Sequence, residues 1–208
     1  MGFDKTEGWD YSLVSQLTHS DMTNAKEDKR TRLIETAMKL AYRHGFRETS
    51  LADIAEAAHV PVGNVYYYFK TKEELAEAVV ARRLAQFQEF KEGMDRLKSP
   101  KERLFAFVDN IQKNREQLAR GGCPLGGLCS ELHKEGGALA KKSASLFTAP
   151  MDWLEEQFRA AGHEKDAREL AVHVFCAFQG MAAVAQATND PSVVVAEIAR
   201  LKDWIGAL

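Results

Sequence analysis

Residues 49 to 72, TSLADIAEAAHVPVGNVYYYFKTK, constrain the fold more than any other stretch of the chain. Ser50 can cap a short helix whose apolar positions Leu51, Ile54, Ala55 and Ala58 share one face, and His59-Val60-Pro61 then breaks it. A second short helix turns Val65 and Phe69 inward, four residues apart. Two short helices around a tight break predict a helix-turn-helix. The outward side of the second helix carries Gly63, Asn64 and three consecutive tyrosines, Tyr66, Tyr67 and Tyr68, of which packing claims only part. Phenols are an odd choice for a solvated face. They suit a DNA groove, where the ring meets thymine methyls and the hydroxyl reaches phosphate or base edges.

Around this motif the chain resembles the TetR family of bacterial transcriptional regulators. The likeness rests on His44-Gly45-Phe46 closing a first helix, on Thr49-Ser50, on Asp53 to Ala58, on Gly63 to Phe69 and on Lys70 to Leu75. It is detailed over roughly residues 28 to 76 and extends beyond them only in general plan. The resemblance implies an all-α protein, with a three-helix DNA-binding domain followed by a helical ligand-binding and dimerisation domain. Two positions depart from the family pattern. His59 stands where a glycine is usual, and since histidine tolerates positive φ better than most residues, the turn should survive at some cost in strain. Val62 stands where the family often has a basic or polar residue, and valine cannot bond a phosphate, so base reading shifts toward Asn64, Tyr66 and Tyr67. The expected DNA contacts are Lys29, Arg30, Thr49, Ser50, Val62, Gly63, Asn64, Tyr66, Tyr67, Tyr68 and Lys72.

The chain divides into three segments: an arm over 1–27, flexible or partly ordered, a helix-turn-helix domain over 28–75, and an effector-binding and dimerisation domain over 76–208. The net charge of −2 advertises no bulk attraction to nucleic acid, but residues 26 to 72 carry nine Lys and Arg against six Asp and Glu. Lys26, Lys29, Arg30 and Arg32 could reach the DNA backbone or minor groove, or the arm could be an inert tail. Three cysteines is an odd count, and no signal-like or membrane-length apolar run is evident. Both features predict a reducing cytoplasm and no membrane partner.

Helical periodicity continues along the chain. Leu33, Ile34, Ala37, Met38 and Ala41 make the stripe of a first helix. Thr71 and Glu74 form a capping box opening a fourth helix that runs to about Leu97, with Lys70 and Lys72 placed to clamp phosphate at its start. Ser99, Pro100 and Glu102 open a helix ending at Arg120-Gly121-Gly122; a short one comes next over 123–133, and a long one over 137–161, which Pro150 should kink or split. The helix over 167–187 is apolar nearly all round and needs cover on two sides. A final helix after Asp190-Pro191 carries Val194, Ile198 and Leu201. In the family the last two helices pair with their copies in a second subunit, which assigns Val174, Phe178, Met181, Val194, Ile198 and Leu201 to a homodimer interface.

The resemblance therefore implies a repressor that binds a double-stranded, inverted-repeat operator as a dimer and is released by a small effector entering beside the fourth helix. Candidate lining residues are Phe107, Ile111, Cys123, Leu125, Leu128, Phe147, Met151, Phe158, Phe175 and Gln179, each of which could equally be core; together they favour an apolar or aromatic ligand. Cys123, before Pro124 at a helix start and near Arg120, could instead make the protein a thiol-based sensor of oxidants or electrophiles, or be an inert pocket residue. Cys129 and His133, four apart, could share a metal with Cys123 as a third ligand, but a fourth is missing and Cys123 and Cys129 do not share a helical face, so no metal and no cofactor is expected, and Cys176 is expected in the core. Gly-Cys-Pro-Leu-Gly lacks the strand and spacing of a nucleophile elbow, and no phosphate-binding loop occurs, so no enzyme is expected.

Overall fold

The computed structural model describes residues 29–208. Helix α1, Lys29–His44, buries Leu33, Ile34, Ala37 and Met38 along one stripe and stops at Gly45, whose φ of +88° ends an α-helix. Helix α2, Leu51–Ala57, opens on Ser50 with a complete capping box: the Ser50 hydroxyl accepts from the Asp53 amide, and the Asp53 carboxylate accepts from the Ser50 amide. The turn after it passes through His59 at φ +52°, the left-handed backbone the sequence predicts there. Helix α3, Val62–Tyr68, comes directly after Pro61. Helix α4, Lys72–Met94, begins after Thr71, whose hydroxyl accepts from the Glu74 amide at 3.2 Å. The returning bond reaches one residue further back than expected, from the Lys70 amide to the Glu74 carboxylate at 2.6 Å.

Six more helices complete the described residues: α5, Pro100–Lys113; α6, Arg115–Gly121; α7, Pro124–Glu135; α8, Gly137–Ala160; α9, Ala167–Thr188; and α10, Ser192–Ala207. The single helix expected after Ser99 is two. Asn114 breaks it at φ −91°, ψ 14°, and its buried side-chain amide donates to the Asn110 carbonyl at 2.8 Å. Pro150 does not split α8, which runs unbroken through it.

Residues 29–86 and 124–146 form one compact unit; residues 87–123 and 147–208 form the other. The division expected after residue 75 falls inside α4, one continuous helix, and the segment 124–146, expected with the effector domain, clusters with the helix-turn-helix. The expected arm over 1–27, Lys26 included, lies outside the described residues. In the first unit Phe46, Ile54, Ala58, Val65 and Phe69 are buried together with Leu33 and Leu75. Full burial of a side chain such as Phe69 contributes about 2–3 kcal/mol to holding its helix in place.

In the second unit α9 packs on α6 and α10, and α10 on α5. Contrary to the expectation of no membrane-length apolar run, α9 has 22 residues and a window of mean hydropathy 1.5, enough by length and composition to cross a membrane. Its apolar character is used within the unit, where Val174, Phe175, Phe178 and Met181 are buried with Ala171, Ala182 and Ala185.

His59 holds a conformation that glycine adopts without strain. His59→Gly is expected to raise the unfolding free energy by about 0.5–1 kcal/mol, the relief of strain exceeding the entropy cost of glycine. Chemical denaturation of both proteins measures it, and an unchanged or lower value contradicts a strained turn.

Candidate nucleic-acid interface and effector region

The geometry of α3 is set by which two of its seven residues face inward. Val65 and the adjoining Phe69 are buried, and they rotate the remaining side chains outward. Tyr67 is 75% exposed, Tyr66 50% and Val62 44%, and nothing stands within 4 Å of where a Cβ on Gly63 would be. Val62 and Tyr66, like Gly63 and Tyr67, are one turn apart, so the exposed surface is a continuous apolar and phenolic strip. Tyr68 is half-buried and meets Tyr67 edge-on at 5.0 Å, and Asn64 is half-buried. The Lys70 ammonium donates to the Tyr66 carbonyl at 2.8 Å, which places a cation at the end of the strip.

Other candidates divide by what their polar atoms already do. Lys29 and Arg30 are exposed at the first turn of α1, and the Arg30 guanidinium lies 5.3 Å from the centre of the Phe69 ring. Ser50 is exposed and serves as the α2 cap; its hydrogen bonds hold the Asp53 carboxyl below the usual carboxylate range. Thr49 corrects the expectation: it is buried, and its hydroxyl donates to the Gly45 carbonyl at 2.8 Å, so it braces the motif from within. Lys72 is likewise engaged internally. Its ammonium donates to the Arg47 carbonyl at 2.7 Å and sits 5.2 Å from the Phe46 ring centre, so the phosphate clamp expected of it has a structural task.

Within the second unit, several effector candidates meet. Phe147 and Phe175 stand edge to face at 5.0 Å, Phe175 and Phe178 at 6.0 Å, and Gln179 Nε2 donates to Cys123 Sγ at 3.4 Å. Phe107 and Ile111 are buried, Phe107 against Trp153, and Phe158 pairs with Trp204; these three read as core. Met151 is half-buried. Leu125, half-buried, and Leu128, buried, belong to α7 in the first unit. A cleft of about 670 Å³ in that first unit is lined by Arg30, Tyr68, Phe69, Glu77, Leu84 and Lys142 among others, and by none of the effector candidates.

The interface assignment is corrected by burial. Val174, Phe178, Met181, Val194, Ile198 and Leu201 are buried inside their own chain, because on helices with two apolar stripes the larger side chains fill the core. Exposed on the same helices are Val172, Cys176, Ala183, Val184 and Ala187 of α9, with Val195, Ala196 and Ala199 of α10. Cys176 is thus a surface residue, not core. Small residues lie on both stripes of α9, with Ala171, Ala182 and Ala185 buried, so no signal in the sequence separated the outer stripe from the inner one. Burial pushes the Cys129 thiol up, partly offset by the Ser143 hydroxyl, and no metal-ligating group of three is found among the described residues.

Comparison with known proteins bears on both units. Residues 33–79 match the model for bacterial regulatory proteins of the tetR family, and residues 100–196 the model for the C-terminal domain of LmrA/YxaF-like transcriptional regulators. The chain is 29% identical over 159 residues to the HTH-type transcriptional repressor ComR of Escherichia coli, covering 71% of this chain and 75% of that protein. Its fold is similar to a TetR transcriptional regulator from Legionella pneumophila, with TM-score 0.78 at 20% identity over 88% of this chain and 98% of that one. It is similar also to the reduced form of NemR from Escherichia coli, with TM-score 0.73 at 17% identity over 85% of this chain and 96% of that one.

Proposed function

The chain belongs to the TetR family of bacterial regulatory proteins, and from that premise we propose that it is a cytoplasmic repressor, binding an inverted-repeat operator as a homodimer and released by a small apolar or aromatic effector. The observation that carries the DNA reading is the outward strip of α3. Two phenols and a valine facing solvent are costly on an inert surface and well suited to a major groove. Tyr66 and Tyr67 read base edges and thymine methyls, Asn64 is in reach to assist, and Lys29, Arg30 and Lys70 supply phosphate contacts. Thr49, Ser50 and Lys72 act by holding the motif in shape.

A second copy covers the exposed strip of α9 and α10, and two-fold symmetry sets two recognition helices about one DNA turn apart. The effector acts only through its differential affinity for the DNA-competent and released states. Phe147, Phe175 and Gln179 beside Cys123 are the group that best supports an aromatic ligand, since few polar side chains accompany them.

A second reading keeps the fold and the DNA contacts but replaces the effector by an oxidant or electrophile acting on Cys123. The Gln179 side-chain amide, 3.4 Å from its sulfur, supports it by placing a donor on the thiol, while burial of the side chain opposes it by limiting access. Alkylation with N-ethylmaleimide discriminates: operator affinity that falls in the native protein and not in Cys123→Ser favours the thiol reading, and unchanged affinity removes it.

Two further outcomes are expected. In mobility-shift titrations with a duplex selected from a random library, Tyr67→Ala should lose about 1–3 kcal/mol of sequence discrimination, whereas Arg30→Ala should weaken all duplexes alike and lower the salt slope by about 1. Equal effects of the two changes would contradict the assigned roles. Ala183→Arg, at the middle of the exposed α9 strip, should give a folded monomer by sedimentation and abolish tight operator binding; a persistent dimer would place the interface elsewhere.

A further inference from the structure

One residue between α1 and α2 is gripped at both ends of its backbone by ionisable side chains from distant parts of the chain. The Arg47 amide donates to Glu131 Oε2 at 2.8 Å, and the Arg47 carbonyl accepts from Lys72 Nζ at 2.7 Å. Lys72 comes from the start of α4 and Glu131 from α7, a helix that packs on α1 within the same unit. Such charge-assisted bonds to backbone are stronger and more directional than neutral ones. Gly45 is what lets the carboxylate in: a Cβ there would stand 3.2 Å from Glu131 Oε1, at a φ of +88° that side-chain-bearing residues rarely adopt.

The gripped residue controls the start of α2. Thr49, two residues on, is tied back to the Gly45 carbonyl, and Ser50 next to it caps α2, against which α3 packs. Only Glu48 lies between Arg47 and Thr49, so Arg47 is three residues from the Ser50 cap that opens α2. At the other end, α7 starts at Pro124 directly after Cys123, whose sulfur accepts from Gln179 of α9, and Glu131 stands about two turns into the helix.

We infer that Glu131 is a positioning residue for DNA recognition: through its carboxylate, α7 fixes the α1–α2 turn and with it the placement of α2 and α3, a route of control separate from α4. The inference rests on the regulator reading. It assigns to α7 a role in setting operator affinity, carried by one acceptor atom on one amide.

The test uses the full-length protein and a duplex enriched from a random library by the native form. Glu131→Ala, folded by circular dichroism and assayed well below its melting temperature, should bind that duplex at least about tenfold more weakly, while Glu131→Gln, which keeps an oxygen acceptor for the Arg47 amide, should stay within about threefold of native. A purely structural role would lower the melting temperature and leave affinity unchanged. Glu131→Ala binding within about threefold of native therefore overturns the inference, as does Glu131→Gln binding as weakly as Glu131→Ala. Should Glu131→Ala not fold, Glu131→Asp, a methylene shorter, takes its place under the same thresholds. Native protein that enriches no duplex would remove the regulator reading and this inference together; enrichment with unaffected variants removes this inference alone.

Discussion

A helix of seven residues cannot hold itself, because the cost of nucleating it exceeds what two turns of hydrogen bonds return. Everything proposed for α3 therefore depends on its two inward anchors, Val65 and Phe69, which are buried almost completely against the first unit. The anchors choose the face. Once they are turned in, Tyr66 and Tyr67 have nowhere to go but outward, and the strained backbone at His59 fixes the direction from which α3 leaves α2. The exposure of the phenols is thus a consequence of core packing and not of any surface preference.

The surrounding unit holds that geometry through bonds of its own. Thr49 and Lys72, whose types and positions suggested contact with DNA, spend their polar atoms on the Gly45 and Arg47 carbonyls. Arg82 reaches back to Glu35 at 2.7 Å, joining α4 to α1, and Lys142 of α8 pairs with Glu77 of α4 at 2.7 Å. Pairs as exposed as Lys142 and Glu77 contribute little to stability. Their effect is on register, keeping α1, α4 and α8 in one relation while α2 and α3 ride on the turn between them.

Local signals in the sequence were the ones that read correctly. Gly45, the Ser50 cap, the positive φ at His59 and the inward pair Val65 and Phe69 each announce themselves within a few residues, because caps, turns and one-face periodicity are local physics. Two kinds of information were not local. Whether Lys72 faces phosphate or the Arg47 carbonyl depends on a bond closed only in the fold, across 25 positions, and membership of 124–146 in the first unit goes with the packing of α7 on α1, far apart in the chain. On α9 the period was visible but its phase was not: both the Val174, Phe178, Met181 stripe and the Val172, Cys176, Ala183 stripe are apolar, and only packing decided which went inside.

Hydroxyl-radical footprinting of the tyrosines tests the central claim most directly. Oxidation of Tyr66 and Tyr67 should be rapid in the protein alone and strongly suppressed by a saturating amount of its selected duplex, with Tyr42, half-buried in α1, unchanged. Tyr66 and Tyr67 that are protected before DNA is added, or that oxidise equally with and without it, would contradict the account.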